Sequence, residues 1–147
     1  MTIEARPART RLATYALSLD AACRLLVCRI SAGYPAAGSW TLPGGGLEFG
    51  EHPADGVLRE LAEESGLVGE ILSLAAADSL VHPAEKTHDE HDVHVIWMLY
   101  RVRIVGGGLR NEADGSTDTC AWMTRDELAG LPTVAVLDRA LPLAFGG

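Results

Sequence analysis

Lysine is almost missing from this chain. Lys86 is the only one in 147 residues; arginine supplies the rest of 12 basic side chains, set against 20 acidic ones for a net charge of −8. A surface so acidic argues against nonspecific binding to a nucleic-acid backbone or an anionic membrane. With abundant alanine and glycine, the arginine usage is a compositional hint of a high-GC coding sequence. Cysteine is scarce too. Cys23, Cys28 and Cys120 have no metal-ligand spacing, and an odd number cannot all pair, so a reduced, cytoplasmic compartment is the simpler expectation. There is no long apolar run: Leu12 to Ala22 is broken by Thr14, Ser18 and Asp20, which excludes a secretory core or a membrane span there. No internal repeat or low-complexity segment stands out. What remains is ordinary for a soluble globular protein, 48% hydrophobic and 22% charged, and the length fits one domain over 1–147 with a real core.

Taken in order, residues 1–8 are polar and read as a frayed tail. Arg9 to Leu19 and Cys23 to Ile30 read as two strands, with Asp20-Ala21-Ala22 short enough for a hairpin turn between them. Ser31 to Ser39 is a loop, Trp40 to Leu42 a short extended piece, and Pro43-Gly44-Gly45-Gly46 a halt. Pro53 opens a helix that Gly66 closes, with Val57, Leu58 and Leu61 on its buried side. Gly56 inside it costs roughly 1 kcal/mol against alanine. Ile71 to Val81 is mixed in character, and His82 to Asp92 is a polar loop. Val93 to Val105 is the strongest strand signal, broken by Gly106-Gly107-Gly108. Cys120 to Met123 reads as a short strand, Thr124 to Glu127 as a capping box, and Val134 to Leu141 as a last helix. Strands and helices without regular alternation fit an α/β fold with a mixed sheet flanked by helices.

The helix carries Glu60, Glu63 and Glu64 at i, i+3 and i+4, so three carboxylates share one face. Like charges so close repel, and a hard cation such as Mg²⁺ would relieve them. A solvated acidic face is the ordinary reading of such a run. The surrounding spacing says otherwise. Gly45 is followed after five residues by Glu51, and after seven more by Arg59-Glu60-Leu61-Ala62-Glu63-Glu64-Ser65-Gly66-Leu67. This 23-residue stretch resembles the signature box of the Nudix hydrolases with every defining position filled, and Trp40 to Gly44 and Glu48-Phe49-Gly50 resemble the family's lead-in.

The resemblance implies an α/β/α sandwich with a mixed central sheet. It also implies hydrolysis, dependent on Mg²⁺ or Mn²⁺, of a nucleoside diphosphate linked to another group. Glu60, Glu63 and Glu64 become metal ligands, with Glu63 and Glu64 catalytic. Arg59 braces the loop against the helix through Glu51. Gly44, Gly45 and Gly46 allow close approach of backbone to phosphate. Glu112 becomes a further ligand or base, with Asp114, Asp118 and a plain solvated loop as competing readings. Nucleoside triphosphate, ADP-ribose and nucleotide sugar stay level as substrates; Pro83, sixteen residues after Leu67, is a slight pointer to ADP-ribose. A non-catalytic nucleotide-sensing domain on the same scaffold is the alternative. A homodimer is common in the family and stays open here.

Outside the box, His82, His88, His91 and His94 fit no zinc motif and read as a polar loop near the site. His52 and Gly56 depart from the family's usual residues. Trp40, Trp97, Trp122, Tyr34 and Tyr100 are candidates to stack on a base, with core packing the default for Trp97 and Trp122. Arg24, Arg29, Arg101, Arg103 and Arg110 are candidates for phosphate contact.

Overall fold

A computed structural model describes residues 8–84 and 91–146. Alternating burial sorts the strands into two sheets. The first has the order β4-β1-β6-β5, where β1 is Ala8–Leu17, β4 is Gly44–Gly46, β5 is Leu67–His82 and β6 is Asp92–Gly107. The second has the order β3-β2-β7, from Trp40–Thr41, Leu25–Ile30 and Thr117–Met123. Three helices complete the fold: α1 (Pro53–Ser65), α2 (Arg125–Ala129) and α3 (Ala135–Phe145).

Strand β1 explains the layering, because its two faces are buried against different partners. Ala13 and Leu17 join Leu25, Val27, Trp97, Leu99, Leu128 and Leu137 in a core closed by α2 and α3. Ala16 joins Leu26, Cys28, Leu61 and Val102 in a second core closed by α1. Helices therefore cover both sides of the sheets, the α/β sandwich that the resemblance implies.

Several local expectations change. The turn at Asp20 forms, with the Arg24 amide and side chain both bonded to the Asp20 carboxylate. The strands it joins diverge, however, into separate sheets after a single bridge, Leu19 to Leu25. The partner of β1 is instead β6, in parallel register from Ala8–Asp92 to Leu17–Arg101. Gly44–Gly46, read from sequence as a halt, is an edge strand antiparallel to β1. The mixed stretch after Leu67 is one long strand whose register shifts between Val68 and Gly69, Ile71 and Ser73, and Leu74 and Ala76. Those bulges blur its period-2 pattern. The break expected at Gly106 falls later, since β6 runs through Gly107. The tail at 1–8 lies, except for Ala8, outside the described residues, as do 85–90 of the polar loop, including His88.

The expectation of unpaired thiols does not hold at two positions. Cys28 and Cys120 stand directly opposite each other on β2 and β7, with Cα atoms 4.2 Å apart, and are joined as a disulfide. Cys23, in the exposed turn, stays free. No described helix is long and apolar enough to cross a membrane.

Candidate functional site

Helix α1 begins where His52 Nδ1 accepts a hydrogen bond from the Ala54 amide at 3.0 Å, so the unusual residue still caps the helix. Gly56 is a packing requirement. A Cβ there would sit 2.5 Å from Leu47 Cδ2 and 3.0 Å from Glu51 Oε1, so glycine lets the incoming loop lie against the helix. The helix ends at Gly66, with φ 77°, where a Cβ would meet the Gly108 carbonyl at 2.5 Å. The crossing segment is held there by Arg110. Its amide donates to the Ser65 carbonyl at 2.8 Å and its Nη2 to the Ala62 carbonyl at 3.2 Å, a cation on the helix C-terminus. Two residues on, Glu112 is delivered to the acidic face.

Arg59 is the hub of that face. Nε and Nη2 donate to the two Glu51 oxygens at 2.8 and 2.9 Å, Nη1 reaches Glu60 at 3.0 Å and Glu63 at 3.3 Å, and Nη2 touches the Gly46 carbonyl at 3.4 Å. The Arg59 hydrogen bonds hold the Glu51 carboxyl down at about 2, and the same contacts push the guanidinium further above its already high value. Glu64 is only 1% exposed. It accepts from the Gly44 amide at 3.1 Å and the Thr117 hydroxyl at 3.3 Å. Burial, and then a hydrogen bond and repulsion from Glu60, raise its carboxyl well above the usual range. Burial and the nearby charges of Glu63 and Glu60 raise Glu112 as well. Four carboxyls thus converge: Glu60, Glu63, Glu64 and Glu112.

Strand β4 separates this acidic cluster from a different environment. A Cβ on Gly45 would lie 3.1 Å from Glu60 Oε1, whereas one on Gly46 would lie 3.3 Å from Arg11 Nε and one on Gly44 2.5 Å from Tyr15 Cδ1. Beyond Gly44 and Gly46 opens a cavity of about 890 Å³ between the two sheets, lined by Arg9, Arg11, Tyr15, Trp97, His82 and His91 among others. The glycine strand is a partition without side chains, with carboxylates behind it and arginine in front.

The donor set suits a hard cation. All the gathered side chains offer carboxylate oxygens, the kind Mg²⁺ takes. Among the described residues, no three His, Cys, Asp or Glu side chains, these glutamates included, already stand in an arrangement that would hold an ion. Two further features fit. Gly45, lacking a Cβ, lets the Glu60 carboxylate pack directly against the strand. Thr14, which pairs with Gly45 and so shares its face, has a buried hydroxyl that is the one orphaned buried side-chain polar atom among the described residues.

Of the other sequence candidates, Asp118 is engaged by Arg29 at 2.8 Å and is held low by that contact. Asp114 sits at a turn with φ 58°. Arg24 and Arg103 pair with Asp20 and Glu70, and Arg101 donates to the Leu143 carbonyl. Trp40 and Tyr100 are buried in the two cores, Trp122 packs against the core under α1, and Tyr34 is exposed. Trp97 is core and cavity wall at once. His94 is exposed, while His82 and His91 line the cavity. Arg11 and Tyr15 escaped the sequence reading. Their signal was the alternation Arg9, Arg11, Ala13, Tyr15 on one strand face.

The fold and this site define a class: an α/β sandwich presenting glutamates from a short helix beside a glycine strand. The chain belongs to the Nudix family, since the family model of the NUDIX domain matches residues 9–143. A MutT-like protein of Streptomyces ambofaciens is 32% identical over 92 residues, 63% of this chain and 52% of that protein. An ADP-ribose pyrophosphatase of Methanocaldococcus jannaschii is 34% identical over 76 residues, 52% of this chain and 41% of that one. The chain therefore spans about half or less of the length of these curated relatives. Among solved structures, the MutT NUDIX hydrolase from Burkholderia pseudomallei superposes with a TM-score of 0.77 at 24% identity, covering 90% of this chain and 96% of that chain.

Proposed function

We propose that this chain is a metal-dependent pyrophosphohydrolase that cleaves the diphosphate of a nucleoside diphosphate linked to another group. The observation that carries this reading is the meeting of Glu60, Glu63, Glu64 and Glu112 beside a side-chain-free strand, with a roomy cavity on its other side. Glu60, Glu63 and Glu64 would hold Mg²⁺, or Mn²⁺ in its place, with Glu112 as an added ligand or base. The bound cation would neutralise charge on the phosphate oxygens and supply an activated water.

The chain's own groups have separate tasks. Arg59 fixes Glu51, Glu60 and Glu63 relative to the Gly46 carbonyl, so loop and helix keep one geometry. Gly44, Gly45 and Gly46 let phosphate come against backbone. Glu64 is a carboxyl whose charge is disfavoured by burial and by Glu60 and would be favoured by a bound cation. The cavity has the size of a small-molecule site and apolar walls at Val93, Val95 and Trp97 suited to a nucleoside. A relative named ADP-ribose pyrophosphatase keeps ADP-ribose in play, with nucleoside triphosphates and nucleotide sugars beside it.

The test is a panel of these substrates with Mg²⁺ or Mn²⁺, products scored by mass. A nucleoside monophosphate plus pyrophosphate or a second phosphorylated fragment is the expected result. Ligand binding without any phosphate product across the panel would overturn it in favour of a sensing domain.

A further inference from the structure

We propose that Arg11 forms an anion subsite on the cavity side of β4 and determines specificity by gripping the substrate phosphate that lies beyond the carboxylate cluster. The inference rests on the hydrolase reading only for the identity of the anion as a nucleoside diphosphate group.

Three observations converge on this side chain. The first is position. Arg11 Nε and Nη2 lie 3.3 and 3.4 Å from where a Gly46 Cβ would be, so the guanidinium is packed against the glycine strand where side chains are absent. It lines both the cavity between the sheets and a second groove, about 620 Å³, that runs over Gly46 to Glu51. An anion lying across Gly46 from the carboxylate cluster would come against it.

The second is availability. Arg24, Arg29, Arg59, Arg103 and Arg139 are each paired with a carboxylate. Arg101, Arg110 and Arg125 donate to backbone carbonyls. Among the described residues Arg11 has no such bond, and an exposed guanidinium at a cavity mouth presents its donors to a ligand.

The third is charge placement. Tyr15, on the same strand face, is raised first by burial, with Arg11 acting on its hydroxyl in one direction and Glu64 and Glu60 in the other, so charges of both signs reach it. A diphosphate laid across the edge strand would meet cation-neutralised carboxylates on one side of β4 and Arg11 on the other. In a protein of net charge −8, an arginine there offsets a field that otherwise repels the substrate.

The experiment compares wild type, Arg11→Gln, Arg11→Lys and the exposed-surface control Arg103→Gln. ADP and inorganic pyrophosphate are titrated in EDTA by calorimetry, and kcat and KM are measured with Mg²⁺ on the best substrate of the panel. The expected result is an affinity loss of about tenfold for Arg11→Gln, in line with a single charge-assisted contact. Arg11→Lys should recover part of that loss, Arg103→Gln should match wild type, and KM should rise more than kcat falls. Wild-type affinity in Arg11→Gln, an equal loss in Arg103→Gln, or no binding of either anion by wild type up to millimolar concentration would overturn the subsite. Arg11-dependent binding without turnover by wild type would instead count against the hydrolase reading and leave the subsite standing.

Discussion

Arg59 grips Glu51 through two parallel hydrogen bonds, Nε to Oε2 at 2.8 Å and Nη2 to Oε1 at 2.9 Å, and the same guanidinium reaches Glu60 and Glu63. Because Glu51 precedes the helix and Arg59 lies two turns into it, this fork ties the glycine loop to the carboxylate face. Its consequence is a stability that depends on pH. The Glu51 carboxyl is lowered from 4.5 to about 2 by Arg59, so its stabilising contribution is present above the unfolded value and lost as pH falls toward about 2. Wild type should therefore melt above Glu51→Gln at pH 7, and the gap should narrow between about pH 4.5 and pH 2. Thermal melts of both proteins in EDTA across that range measure it; a gap independent of pH would show that the fork is not ionic.

Glu64 carries the opposite sign. Burial and Glu60 raise its carboxyl, so without metal its contribution is favourable at low pH and lost as pH rises through the raised value. In EDTA at pH 8, Glu64→Gln should melt higher than wild type by a few degrees, about 2–4 °C for each kcal/mol at this chain length. The difference should vanish below pH 4. Mg²⁺ should then stabilise wild type more than the variant, because binding to the native state adds to stability. Wild type melting higher than Glu64→Gln in EDTA at pH 8 would contradict the burial of this charge.

Thr14 offers a test of the buried surroundings of Gly45. Its buried hydroxyl has no partner, and an unsatisfied group of that kind costs about 1–3 kcal/mol. Thr14→Val keeps the shape and should raise the melting temperature in EDTA. Calorimetric titration with Mg²⁺ should show weaker binding by the variant if the hydroxyl serves the cation's surroundings. A lower melting temperature in EDTA would mean that the hydroxyl already has a partner.

The glycine strand should resist change for steric reasons. A Cβ on Gly44 would fall 2.1 Å from the Thr14 carbonyl oxygen and 2.5 Å from Tyr15 Cδ1, and its φ of 154° is rare for other residues. Gly44→Ala should cost about 2 kcal/mol or more, and denaturant melts should show it. Gly108→Ala, where a Cβ meets nothing within 4 Å, should change stability little.

Much of this site was legible in the chain because its parts are close in sequence. Helix α1, its Pro53 start, the Gly66 stop and the three-glutamate face follow from local rules, and so does the Thr124–Glu127 capping box. Glu112 could be named only as a candidate, since its approach depends on Arg110 capping a helix far earlier in the chain. The strand nature of Gly44–Gly46 was illegible because three glycines carry no side-chain period, and their ladder to β1 is backbone alone. Long-range pairing hid the rest. The parallel register of β1 with β6 and the facing of Cys28 with Cys120 are set by sheet order, which no local pattern encodes. Arg11 was passed over for the same reason: on sequence it is one arginine among 11, and only the Gly46 contact distinguishes it.

The most direct test of the account is the kcat of Glu64→Gln against wild type with saturating Mg²⁺ on the best substrate of the panel, alongside its melting temperature. The account predicts a kcat lower by about 10²–10⁴ with the fold intact, the range typical of a lost acid–base or charge-stabilising group. Turnover near wild type in a folded Glu64→Gln protein would contradict it.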